Sequence, residues 1–329
     1  MNARILAALR KAAVVFIIVG ATSLQAQIAP QFLPLQRLTN KEVSIKLTAP
    51  TGINYRIDAS TNVAAWDGLV TGLSVGTNQH TDSAAPFLSS RFYRALELGA
   101  SNALTGDHLT TTNGDVIFHP LYHASFLMSW DGKIIYNDPD DDAAFESRYV
   151  GMPKADLVLI SHSHTDHFST TKLDALRTVS TVMVAPQAVY NSMTAAQKTV
   201  TTVLGYSNSV TLIGIRIDAV PAYNPTYHPF GTGNGYILTV GGKRIYMSGD
   251  TGAIAEMRAF ANIDVAFLCM NLPYTMTPQD ANTQVRAFRP KVVYPYHYRD
   301  SNNAATNAAF FKQLVGTDAG IEVRLRPWY

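Results

Sequence analysis

Seven consecutive residues, Ser161-His162-Ser163-His164-Thr165-Asp166-His167, place three imidazoles and one carboxylate within six positions. Imidazole nitrogen and carboxylate oxygen are the donors preferred by zinc and related transition metals. His162 and His164, two apart, can serve one ion, while Asp166 and His167 are offset and can serve a second. So many titratable groups are costly to bury unless they bind something. A metal bound there would lower the pKa of water from 15.7 to about 7, supplying hydroxide at neutral pH without a Ser or Cys nucleophile. Asp166 is the candidate to orient that hydroxide and shuttle its proton.

The cluster directly follows the apolar run Ala155-Asp-Leu-Val-Leu-Ile160, which reads as a buried strand. A strand end fixes the start of the loop and leaves its side chains free to converge. Ahead of it, Phe126 to Trp130, Asp131-Gly132 and Lys133 to Tyr136 read as a β-hairpin with a two-residue turn, followed by Asn137-Asp138. The pattern recurs as Gly235 to Val240, Gly241-Gly242 and Lys243 to Tyr246, followed by Ser248-Gly249-Asp250 and the buried run Ile263 to Leu268. Two hairpin-plus-strand halves separated by helical stretches, Thr170 to Val179 and Asp280 to Phe288, predict two sheets packed face to face with helices outside.

Residues 41–98 differ. Val43 to Leu47 and Tyr55 to Ala59 alternate apolar and polar, Arg91 to Leu96 leans to β, and no amphipathic helix intervenes, which predicts a small all-β module. Tyr55-Arg-Ile-Asp-Ala-Ser-Thr-Asn, Trp66 and Arg91-Phe-Tyr-Arg-Ala resemble a β-sandwich-like accessory module carried by exported proteins of some environmental bacteria. Gly99-Ala-Ser-Asn-Ala reads as a linker, and residues 105–329 as one domain of common enzyme size.

The N-terminus reads as a cleavable signal peptide over residues 1–26. Arg4, Arg10 and Lys11 precede the apolar run Ala12 to Gly20, which is short for a membrane span, and Ala26 offers a cleavage point. This predicts a periplasmic or secreted protein with no span after cleavage. The chain has 26 basic and 24 acidic residues, and removing the signal leaves 23 basic against 24 acidic. That total gives no support for a nucleic-acid partner, so a small-molecule substrate is expected. Cys269, the lone cysteine, lies in an apolar run and is expected to pack in the core.

The pattern His-x-His-x-Asp-His resembles the metallo-β-lactamase superfamily signature, and the resemblance extends in order through residues 105–329. It implies a four-layer αββα fold preceded by the small all-β module, and a binuclear centre with two divalent ions, zinc favoured over manganese or iron. In that family the Asp after the first hairpin, here Asp138, braces the metal loop. Asp250, in Gly249-Asp250-Thr251, matches the carboxylate that bridges both ions, and His297, in Pro295-Tyr-His-Tyr298, completes the second. Tyr274-Thr-Met-Thr-Pro-Gln-Asp-Ala281 is typical of a lactonase-like branch. The third His of the first metal falls in Pro221-Ala-Tyr-Asn-Pro-Thr-Tyr-His228, where Asn224 and His228 compete, and His228 is the better ligand for a borderline-soft metal. His123 matches a residue near the site mouth, with a supporting or core role as alternatives, and His108 and His119 read as structural. The resemblance implies a hydrolase of an ester, lactone, amide or phosphodiester. Two other readings stand beside it: an iron-dependent sulfur dioxygenase with a single iron, and a non-catalytic metal-binding surface protein. His at position 164, rather than Glu, argues against the flavo-diiron relatives.

Overall fold

The computed structural model describes residues 30–99, 104–299, 304–317 and 319–326, and before them only the backbone of a strand at Phe16–Ile18. The rest of the stretch read as a signal peptide, and most of the linker 99–103, lie outside the described residues. Among the described residues no helix is long and apolar enough to cross a membrane. The chain divides into two compact units: residues 1–110 with 114–119, and residues 111–113 with 120–329.

In the first unit residues 30–99 build two antiparallel sheets, and Phe16–Ile18 pairs in parallel with Phe92–Gly99. In one, Val43–Thr48 pairs with Thr77–Asp82 on one side and with Gln31–Phe32 and Gln36–Arg37 on the other. In the other, Asn54–Ser60 lies between Asp67–Leu73 and Phe92–Gly99. Period-2 alternation sends Ile45, Leu47, Tyr55, Ile57 and Tyr93 into a shared core. The strands expected from sequence are present, and Asp67–Leu73 and Thr77–Asp82 are additional to them.

The second unit repeats one device. The hairpin Ser125–Trp130/Lys133–Asn137 is extended by the parallel strand Leu157–Leu159, with Ile135 opposite Leu157. The hairpin His228–Val240/Lys243–Met247 is extended by Val265–Cys269, with Ile245 opposite Val265. Val182–Ala185 and Thr201–Val203 continue the first sheet, and Val292–Tyr296 and Glu322–Val323 the second. The sheets pack face to face through Phe126, whose ring lies 4.3 Å from that of Phe267. Helices Thr170–Leu176, Pro278–Phe288 and Ala308–Val315 complete the α/β arrangement expected from the sequence. The first helix stops earlier than its pattern suggested, because Arg177 turns extended and Val179 is solvent-exposed. The helix at Pro278 starts on a capping box, with Thr277 accepting from the Asp280 N–H and Pro278 at its first position. Cys269 is fully buried, as its apolar setting predicted.

Candidate metal centre

The loop that follows Leu157–Leu159 carries the metal-type residues, and three contacts shape it. Asp138, just past the first hairpin, accepts from the Ser161 backbone N–H at 2.6 Å and from its hydroxyl at 2.7 Å. The other side of the loop is held by the long strand His228–Val240, whose Asn234 N–H donates to the Ser161 carbonyl at 2.9 Å. That strand runs further back than the Gly235–Val240 expected from sequence, through a glycine-rich stretch that reads as a loop. Gly233 suits the close approach there, since a Cβ would stand 3.1 Å from His162 Cβ, tighter than ordinary contact. Gly249 is required twice over: its φ is +58°, and a Cβ would meet the Asn234 carbonyl oxygen at 2.7 Å.

All seven residues singled out as ligands converge. His162, His164 and His228 form one group whose candidate ligand atoms lie within 4.8 Å of one another. Around the second position, His167 Nε2 is 3.0 Å from His297 Nε2 and 3.6 Å from Asp166 Oδ2, and His297 Nε2 is 3.4 Å from Asp166 Oδ2. Asp250 stands between the groups. Its Oδ1 is 3.5 Å from His167 Nε2 and 3.4 Å from His297 Nε2, and its Oδ2 is 3.4 Å from His228 Nε2. Asn224 is opposite His228 across the strand pair, but its amide donates to the Tyr274 carbonyl at 3.0 Å and accepts from the Thr226 N–H. The structure thus brings His228, and not Asn224, into the cluster.

His123 joins Asp166 and His297 in a third group, although its sequence context left its role open. It sits in a left-handed turn at φ +55° and its ring stacks on Tyr122, which stacks in turn on Phe145. His108 and His119 belong to the first unit. His108 bridges Thr71 and Asp115, and His119 Nδ1 contacts the Thr105 carbonyl.

The electrostatics show what the cluster lacks. Burial alone disfavours an imidazolium, and it holds His162 and His228 below the ordinary histidine value. At His167 and His297 burial acts the same way, but the carboxylates of Asp250 and Asp166 outweigh it and push these groups up to about 10 and about 9. Burial would raise Asp166 and Asp250, yet the neighbouring imidazoles hold both well below the usual carboxylate range. Burial pushes His123 down to about 3. The carboxylates therefore draw positive charge into a buried place. Several donors are left open there: His162 Nε2, both ring nitrogens of His228, Asp250 Oδ1 and His297 Nδ1 are buried without hydrogen-bonding partners.

This donor set fits divalent ions. Nitrogen and oxygen donors at about 2.0–2.1 Å from a tetrahedral ion stand about 3.4 Å apart, close to the separations around Asp250. The His167 ring turns its other nitrogen, Nδ1, to Asp138 Oδ2 at 3.0 Å. That carboxylate–imidazole arrangement orients a ligating His and raises its basicity. A cleft of about 430 Å³ opens onto the cluster, lined by His123, His164, Asp166, His228 and Asp250 together with Thr226, Tyr227, Asn271 and Tyr274.

A family model described as "Beta-lactamase superfamily domain" matches residues 119–297, more than half of the chain and every residue of the cluster. The chain belongs to this superfamily. Among curated relatives, the UPF0173 metal-dependent hydrolase TK0141 of Thermococcus kodakarensis is 31% identical over 214 residues, covering 62% of this chain and 93% of that protein. A UPF0173 metal-dependent hydrolase of Pelotomaculum thermopropionicum is likewise 31% identical, over 62% of this chain and 94% of its own. Igni18, a metallo hydrolase of Ignicoccus hospitalis, has a solved structure that matches with a TM-score of 0.56 at 27% identity, over 64% of this chain and 94% of that one. A solved structure from Parabacteroides distasonis matches with a TM-score of 0.59 at 36% identity, over 68% of this chain and 99% of that one. This member of the superfamily is a metal-dependent hydrolase with the metallo-β-lactamase fold. The first unit, all β among its described residues apart from a short 3-10 turn at Ala85–Phe87, precedes the matched region.

Proposed function

We propose that this superfamily member is an exported, binuclear hydrolase acting on a small-molecule ester, lactone, amide or phosphodiester, with zinc as the preferred metal. One observation carries the two-metal reading: the two oxygens of Asp250 face different donor groups, Oδ2 towards His228 and Oδ1 towards His167 and His297. A carboxylate can bridge in this way, whereas a neutral imidazole has one free lone pair. His162, His164 and His228 would hold the first ion, Asp166, His167 and His297 the second, and Asp250 both. Divalent ions there would lower the pKa of water to about 7 and polarise an electrophilic centre.

The chain's own groups do the rest. Asp138 fixes the His167 ring and the start of the loop. Asp166, with its side chain 39% exposed, is the cluster carboxylate most open to the cleft and the group that can accept a proton from an attacking water. The cleft size suits a small molecule. Export rests on Arg4, Arg10, Lys11, the apolar run Ala12 to Gly20 and Ala26, and predicts a mature N-terminus at Gln27. Mass spectrometry of the exported protein tests that point. The hydrolase reading is tested by a metal-loaded screen across esters, lactones, phosphodiesters and β-lactams. Turnover of at least one class that is lost on chelation and restored by zinc is the expected result, and no turnover of any class contradicts it.

A further inference from the structure

Part of the cleft lining carries no charge. Thr226, Tyr227, Asn271 and Tyr274 make up this part of the lining, beside the metal-type residues. Asn271 is 5% exposed, and its Oδ1 is buried without a hydrogen-bonding partner. A buried amide oxygen without a partner weakens a fold, so its presence calls for a reason.

The local structure holds the backbone that carries this amide in place. The Asn271 backbone N–H donates to Thr275 Oγ1 at 2.6 Å, and its carbonyl accepts from the N–H groups of Tyr274 and Thr275. Asn224 ties the Tyr274 carbonyl to the loop before His228, and the Tyr227 and Tyr274 rings meet edge to face with centroids 5.0 Å apart. Met270, the residue before Asn271, donates its N–H to the carbonyl of His297. The backbone that presents the amide is thus pinned both to the metal-side loop and to the aromatic wall. Such pre-organisation lowers the cost of binding.

We propose that Asn271 is a substrate-recognition residue. Its amide hydrogen-bonds an uncharged polar substituent, a hydroxyl or an amide, that lies beside the scissile bond, while Tyr227 and Tyr274 pack against the adjoining apolar part. The inference rests on the hydrolase reading above but concerns the uncharged lining residues. A site that hydrogen-bonds a substrate group discriminates strongly against the analogue lacking it, because its own polar group is then left unpaired.

The test uses the full, metal-loaded chain and two matched pairs of probes. The first pair is α-hydroxy-γ-butyrolactone and γ-butyrolactone, followed by turnover. The second is their non-hydrolysed counterparts, 3-hydroxy-2-pyrrolidinone and 2-pyrrolidinone, followed by calorimetric titration. In the native chain the hydroxylated member should be favoured by at least about tenfold in kcat/KM and in affinity. In Asn271→Leu that preference should fall to about twofold or less, through KM more than kcat, with metal content unchanged and the melting temperature equal or raised. An Asn kept only for structure would lower the melting temperature when replaced, and an Asn271→Leu chain that melts earlier yet keeps the native preference overturns the proposal. Equal binding of the two lactams by the native chain, or no binding of either, also overturns it. Failure to cleave either lactone with the lactam preference intact counts against lactones as substrates and leaves the role of Asn271 standing. Turnover of both lactones with no effect of Asn271→Leu does the reverse.

Discussion

Both units of this protein bury charged and titratable side chains, and they treat them in opposite ways. In the first unit Asp58 is fully buried but bonded by Arg56 at 2.5 Å and Arg94 at 2.7 Å. Asp82 accepts from Arg91 at 2.6 Å and from the Tyr93 hydroxyl at 2.8 Å. His108 uses both ring nitrogens, one on Thr71 at 2.7 Å and the other on Asp115 at 2.9 Å. No described residue of this unit has a buried side-chain polar atom without a partner. In the second unit His162, His228, Asp250 and His297 keep such atoms, and their side chains converge on one cluster. A Thr–His–Asp chain in the first unit has the look of catalytic machinery, but its bonds are closed within the protein. Open bonding capacity gathered on converging metal-type residues, rather than residue type alone, marks the functional centre.

Substitutions can break or sharpen this contrast. The largest effect is expected at the centre, where Asp250→Ala should lower turnover by at least about 100-fold through misplacement of the reacting groups, with little change in the thermal unfolding of the first unit. Asp58→Ala should do the opposite. It removes the carboxylate shared by Arg56 and Arg94, leaving Arg56 only its longer contact with Asp115 at 3.3 Å, and should destabilise the first unit by about 2 kcal/mol. This is less than the roughly 3–5 kcal/mol of a fully buried pair, because the arginines are 29% and 27% exposed. Activity per folded molecule should not change, and chemical denaturation beside a turnover assay checks both statements. Asp138→Asn should weaken metal affinity by about tenfold, towards the low end for a group that supports a ligating His, as read by competition with a chromogenic chelator.

The smallest effect is a pH dependence in the first unit. The hydrogen bond from His108, opposed by burial and aided by Arg56, lowers the pKa of Asp115. A lowered folded-state value means that the unfolded chain binds the proton more readily. The resulting stability is present above the unfolded carboxylate value of about 3.9 and is lost as pH falls through the folded one. Asp115→Asn should flatten stability against pH in that acid range, and equal slopes for the two proteins would refute the assignment.

Much of the centre was legible because its core is contiguous. Ser161 to His167 needs no tertiary knowledge, and Asp138 and Asp250 are marked by ending two similar hairpins. The choice between Asn224 and His228 needed the fold, since the two are cross-strand partners and only the Tyr274 carbonyl shows that Asn224 is already engaged. Asn271 was not singled out, and His123 was placed near the site mouth only by resemblance, for a different reason. Each lies in a short turn whose neighbours come from distant segments, so nothing in local spacing distinguishes them from ordinary core residues. The strands Asp67–Leu73 and Thr77–Asp82 escaped notice because glycines interrupt one and polar residues fill the other, although pairing and burial favour both.

The central claim is a two-metal centre spanned by Asp250, and metal stoichiometry tests it most directly. The full chain and its Asp250→Ala variant would be loaded with zinc, freed of excess by gentle gel filtration, and analysed for zinc per chain alongside turnover. Two ions are expected in the native protein, one or fewer in the variant, with loss of activity accompanying loss of the second ion. One ion at saturation in the native protein, or two in a variant with near-normal turnover, would contradict it.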